Sequence, residues 1–256
     1  MGTGALGGYM DVAQIALYLF WLFFAGLIYY LHRENKREGY PLDSDGRKVR
    51  VVGFPDVPEP KSFLRTDGTY AYAPHPETLD KNIAAVPTEP WPGAPLQPTG
   101  NPMLDGVGPG SYTMREDVPD KVYDGRPLLT PMRIAPEFHV EHEDPDPRGM
   151  LVVGADGAVG GKIVDLWVDR AEPQIRFMEA ETEGGRRVLI PINLTRIEGP
   201  DHALKVTVRA IHGHHFKDIP GTKSPDVVTK LEEERIFGFF GGGTLYADAS
   251  RQEPLV

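Results

Sequence analysis

The residues of this chain best suited to chemistry are carboxylates. Asp165 and Asp169 stand four apart in the run GKIVDLWVD, and Glu172 follows three residues later. Arg176, Glu179 and Glu181 lie in the next alternating run, and Asp117, Asp120 and Asp124 form a second acidic group upstream. Read as a strand, residues 162–169 turn Val164, Leu166 and Val168 to one face and Asp165, Trp167 and Asp169 to the other. A face that sets a tryptophan between two aspartates is half buried if the ring is. Buried carboxylates have raised, coupled pKa values and can relay protons. An acidic cluster facing a membrane beside a redox centre would be a proton conduit; most of these acids are otherwise a solvated surface.

Other chemistries are poorly served. The chain has no cysteine, which excludes disulfides, thiolate nucleophiles and zinc ribbons. No nucleophile–base motif, phosphate loop or dinucleotide fingerprint occurs. Gly241-Gly242-Gly243 follows an expected helix instead of opening one, so it does not read as a phosphate cradle. His212, His214 and His215 have the composition of a metal site but no fourth ligand of fitting spacing, and read as a solvated loop, with a surface-bound divalent ion as the alternative. A formal net charge of -10 argues against nucleic acid as a partner.

The acids must be positioned by short strands. Residues 162–169, 175–182, 188–192 and 204–208 alternate with period two, and Glu183-Gly184-Gly185-Arg186 forms a hairpin turn. This spacing predicts a small antiparallel barrel or sandwich. Ser224-Pro225-Asp226 predicts a helix start, the helix running through Leu231 and Ile236 to the glycines at 241–243. Upstream, prolines recur every few residues from 53 to 149. Phe54, Phe63, Tyr70, Tyr72, Trp91 and Tyr112 give that segment the apolar anchors that flexible linkers lack, so it reads as ordered but irregular.

One further element stands apart. Residues 12–31 read VAQIALYLFWLFFAGLIYYL, without a charge, and at about 1.5 Å per residue they cover the roughly 30 Å core of a bilayer. No Lys or Arg precedes this run and no small-residue cleavage site follows it, which disfavours a signal peptide. Arg33, Lys36 and Arg37 come directly after it, so the N-terminus is expected outside and the remainder in the cytoplasm. Trp21 and Gly26 suit a contact with partner helices. Tyr29 and Tyr30 sit at headgroup level, and Arg33, Arg37 and Tyr40 continue the same membrane or partner interface. The domain reading is an N-terminal flank over 1–11, a transmembrane helix over 12–31, a membrane-surface and Pro-rich irregular segment over 32–149, and a β-barrel domain with a C-terminal helix over 150–256.

Several long motifs in this order resemble the H subunit of the purple-bacterial photosynthetic reaction centre. They are MDVAQIALYLFWLFFAGLIYYL, REGYPL from Arg37, PTGNPMLDGVGP from Pro98, GKIVDLWVD from Gly161 and LEEERIFGF from Leu231. The resemblance implies a fold with a single N-terminal transmembrane helix and a mainly-β cytoplasmic domain, a PRC-type β-barrel. It implies a non-catalytic subunit that caps the L and M subunits, stabilises the quinone sites and helps conduct protons to the secondary quinone. By position, Glu172 matches a proton-relay glutamate, Asp169 an acid of the same network, and Arg176 a cation that tunes it. Asp120 stands where the family usually has Glu, and Glu233 matches a further interior acid.

No cofactor is expected on this chain itself. Bacteriochlorophyll, bacteriopheophytin, quinones and non-haem iron belong to L and M. Beyond L and M, the implied partners are membrane lipids and the light-harvesting 1 ring, with a contact free of cytochrome. The implied location is the bacterial inner, chromatophore membrane, with the N-terminus periplasmic. The sequence departs from the family where a surface histidine pair is replaced by Arg126-Pro127-Leu128, so that either the proton entrance differs or Asp124 and other surface acids serve alone. Pro173 after Glu172 is a second departure. The alternative reading is a membrane-tethered barrel adaptor that recruits soluble partners. A metal hydrolase built on the histidine loop is the remaining, weaker one.

Overall fold

A computed structural model describes residues 11–40, 42–43, 50–73, 83–91, 93–200 and 202–252. Most of the N-terminal flank, together with Pro41 and Pro92, lies outside the described residues. The chain divides into two compact units, one of residues 1–81 with 89–94 and one of residues 82–88 with 95–256.

The first unit is led by α1, Val12–Asn35, capped by the Asp11 carboxylate, which accepts the Gln14 N–H at 2.8 Å. None of its residues is buried, as expected of a helix whose apolar surface all round is meant for lipid or partner helices. Its C-terminal end is tied down by cations. Lys36, 3% exposed, donates to the carbonyls of Val52 (2.6 Å) and Pro55 (2.5 Å). Arg37 bonds the Glu34 carboxylate and donates to the carbonyls of Glu59 and Ala73. Two short pairs complete the unit: β1 (Leu42–Asp43) with β2 (Arg50–Val51), and β3 (Lys61–Leu64) with β4 (Tyr70–Ala73), both antiparallel.

The second unit opens with the small pair β5 (Ala85–Pro87) and β6 (Leu96–Pro98). Its body is a seven-stranded sheet of β7 (Leu129–Pro131), β8 (Leu151–Val153), β9 (Val159–Asp169), β10 (Gln174–Thr182), β11 (Arg187–Pro191), β12 (Thr195–Glu198) and β13 (Lys205–Val208). The strand order is β11-β10-β9-β8-β13-β12, with β7 also on β9; β13 runs parallel to β8 and the other pairs are antiparallel. The 11-residue β9 organises the sheet, pairing β8 along its first half, β7 along its second half and β10 on its other edge. The mainly-β domain with a C-terminal helix is as the sequence leads one to expect, and the sheet takes in Leu129–Pro131 from upstream of residue 150.

The helix α2, Lys230–Tyr246, differs from its expected bounds at both ends. It starts after Thr229, not at Ser224. Thr229 Oγ1 accepts the Glu232 N–H (3.2 Å) while the Glu232 carboxylate accepts the N–H groups of Thr229 (2.9 Å) and Lys223 (2.7 Å). This capping box outcompetes the Ser-Pro-Asp signal because it satisfies three backbone donors. The helix also continues through the glycines, whose missing side chains admit the 102–112 turn. A Cβ on Gly241 would fall 2.5 Å from the Pro109 carbonyl oxygen, and one on Gly238 2.8 Å from that of Gly110. Phe239, Phe240 and Ile236 on the same helix are at most 1% exposed and complete the core with Trp167, Phe177 and Leu166.

Candidate functional site

The end of β9 becomes a turn that presents Glu172. Asp169, 7% exposed, uses one carboxylate oxygen to accept the N–H groups of Ala171 (2.9 Å) and Glu172 (3.1 Å). An aspartate that closes a turn on its own backbone fixes the direction of the residues that follow. Glu172 is exposed beside Pro173, its carboxylate accepting from Gln174 Nε2 at 3.2 Å. Arg170, inside the turn, pairs with Glu137 at 2.6 Å, and its Nε is buried without a partner.

Glu233, on the first turns of α2, is an acid whose affinity for a proton is raised by its surroundings. Burial raises its carboxyl from the usual 4.5 to about 7, while Arg115 and Arg176 oppose the rise and Asp120 and Glu234 add to it. Asp120 and Arg176, both named from the sequence, thus act electrostatically on Glu233. Asp120 is half-buried, and one carboxylate oxygen accepts the Lys121 N–H at 2.9 Å. Arg176 is exposed on β10. Arg115, which the sequence reading missed, also pairs with Glu234 at 3.5 Å. A carboxyl near 7 exchanges its proton at neutral pH, which a free glutamate does not.

Asp124 is placed differently. Its carboxylate accepts from Arg126 Nε (2.8 Å) and the Arg126 N–H (3.0 Å), on an exposed turn. These bonds hold it below the usual carboxylate range. Arg126 thus ties up the neighbouring Asp124 as an ion pair, Nη2 to Oδ2 at 2.7 Å.

Asp165 belongs to a separate structural cluster. Asp165 and Glu179 are 4% and 2% exposed and share Arg133, whose Nη1 reaches them at 2.9 and 2.6 Å. Trp167 Nε1 donates to Glu179 at 2.9 Å, Arg187 reaches Glu179 at 3.2 Å, and Arg133 also holds Asp226 at 2.8 Å and the Pro225 carbonyl. The expected acidic face of β9 is real, but one guanidinium neutralises its middle. Burial works against the charge on Arg133, and the bonds to Glu179, Asp165 and Asp226 more than offset it, so its pKa is raised. No signal in PMRIAP marks Arg133, since an isolated cation has no period.

On α1, Trp21 (55% exposed), Tyr29 and Tyr30 are exposed, and a side chain at Gly26 would meet open space. Tyr29 stacks obliquely on Phe54, centroids 5.9 Å apart. Arg33 is exposed, Arg37 is engaged as described, and the Tyr40 ring lies 5.1 Å from the Lys36 ammonium.

His212, His214 and His215 sit on an anchored 3-10 turn, not a loose loop, with one potential ligand atom of each within 4.8 Å of the others. Burial, then the neighbouring His214 and His212, push His215 below the ordinary imidazole range.

Comparison with known families gives two matches. The model for the photosynthetic reaction centre H-chain N-terminal region matches residues 4–134, and the model for the PRC-barrel domain matches residues 139–212.

Proposed function

The chain belongs to the photosynthetic reaction centre H-chain family, and from that premise we propose that it caps the cytoplasmic face of the L and M subunits and conducts protons to the secondary quinone. As an H-type chain it is a subunit of the photosynthetic reaction centre, with one N-terminal helix of membrane-spanning length and composition.

The observation that carries the proton role is Glu233, a carboxyl held at about 7 within a group of Arg176, Asp120 and Arg115. Reducing a quinone to a quinol takes two electrons and two protons. Groups that carry those protons away from bulk water must bind and release them near neutral pH. Glu233 meets that condition by burial, with Asp120 and Arg176 setting its field. Glu172, exposed and oriented by the Asp169 turn, suits the solvent-facing part of the same path. In this reading the chain carries no pigment and performs no catalysis alone; bacteriochlorophyll, bacteriopheophytin, quinones and iron reside in L and M. The helix and its Trp21–Gly26–Tyr29 surface dock in the bacterial photosynthetic membrane, N-terminus periplasmic, beside lipid and the light-harvesting 1 ring.

The reading is tested on reaction centres assembled with Glu172→Gln. The second, proton-coupled electron transfer to the secondary quinone is expected to slow about tenfold or more, with primary charge separation unchanged. Unaltered second-transfer kinetics would remove Glu172 from the path. The adaptor alternative predicts instead a chain that purifies without pigment-bearing subunits.

A further inference from the structure

We propose that His212, His214 and His215 form a binding site for a first-row transition-metal dication of the zinc class. The site lies at the Val159 end of β9, the opposite end from Asp169, and shares no residue with the proton group.

The turn carrying the histidines is built before any ion arrives. Ile211, Phe216 and Ile219, at most 1% exposed, pin it to the core. Its backbone is pressed against the 154–158 turn. A Cβ on Gly154 would fall 2.3 Å from the Gly213 nitrogen, and one on Gly213 2.7 Å from Ala158 Cβ. Asp156 locks the two turns together, one carboxylate oxygen accepting the N–H groups of Gly213 (3.0 Å) and Ala158 (3.2 Å). Little backbone freedom is left to lose on binding, which is the condition for a preorganised site.

The donors suit a borderline ion. Three imidazoles with ligand atoms within 4.8 Å of one another need only side-chain adjustment to reach the separation of about 3.4 Å that bonds of about 2.0–2.1 Å set around a tetrahedral ion. His214 is exposed, so an ion has access from solvent. Nδ1 of His215 accepts the His212 N–H at 3.1 Å, a bond that orients this ring within the cluster. Asp248 Oδ2 lies 3.7 Å from His212 Nε2, near enough for a small side-chain shift to make the carboxylate–imidazole bond that commonly supports a metal ligand. Nitrogen donors select zinc-class ions over Mg2+ and Ca2+, which require oxygen shells.

The test is calorimetric titration of Zn2+ into the full chain in detergent after chelator treatment. One equivalent per chain is expected, with no saturable binding of Mg2+ or Ca2+. His214→Ala, at an exposed position, is expected to weaken Zn2+ binding at least about tenfold with an unchanged melting curve. Zinc-edge X-ray absorption on the unmodified chain reads the ligands without any variant and is expected to show three imidazoles. Non-saturable Zn2+ binding, unchanged affinity in His214→Ala, or fewer than three imidazoles in the spectrum would each overturn the assignment.

Discussion

At the residue scale, the behaviour of each acid follows from what touches it, not from its place in a motif. Asp169 spends its carboxylate on a turn, Asp124 on Arg126, and Asp165 on Arg133. Glu233 is left with burial as its largest influence, and its carboxyl rises to about 7. The folded chain therefore holds this proton more tightly than the unfolded chain, where the group has its ordinary value of 4.5. Its contribution to stability is fully present below about 4.5 and is lost as pH rises toward about 7. Glu233→Gln should abolish that loss, so its stability advantage over the parent should grow across this window and level off above it. Urea midpoints of both proteins across the window check this, and parallel pH profiles would contradict it. Glu172, Asp169 and Asp120 were legible in the sequence as acids at motif positions. Arg115 and Arg133 were not, because single cations in irregular segments carry no period and find their partners only through the fold.

At the element scale, alternation identified the four strands around the acids but not β7 and β8, three residues long and too short to display a period, nor β12, whose Thr195-Arg196-Ile197-Glu198 holds a single large apolar residue. The glycine run of α2 misled for a physical reason. Glycine ends helices where the chain must turn left-handed, but here it admits a neighbouring backbone. This account gives Gly241→Ala a definite sign. Alanine favours an isolated helix over glycine by about 1 kcal/mol. Here, however, its methyl would fall 2.5 Å from the Pro109 carbonyl oxygen. The overpacking cost of about 1–3 kcal/mol should win, giving a net loss of stability. Thermal unfolding of the variant checks the sign, and a gain would show that the 102–112 turn yields easily.

At the scale of the whole molecule, one apolar helix with no buried residue accompanies a sheet domain rich in buried charge. Length, apolarity and flanking charge made the helix readable at once, and the proposed orientation, with the Arg33–Lys36–Arg37 end inside, puts the sheet domain in the cytoplasm. The chain has no cysteine, so Ser250→Cys creates a single exposed thiol. An impermeant maleimide should label it in inside-out membrane vesicles and not in sealed right-side-out cells or spheroplasts. The reverse pattern would invert the topology and remove the domain from the side where the quinone takes up protons.

The central claim is that a half-buried carboxyl group on this chain passes protons to the secondary quinone, and flash-induced kinetics of the second electron transfer against pH test it most directly. With the parent chain the rate should fall as pH rises through about 7, where Glu233 loses its proton. With Glu233→Gln that inflection should disappear and the rate at neutral pH should drop, while charge separation stays unchanged. An unchanged rate and an unchanged inflection in the variant would contradict the account.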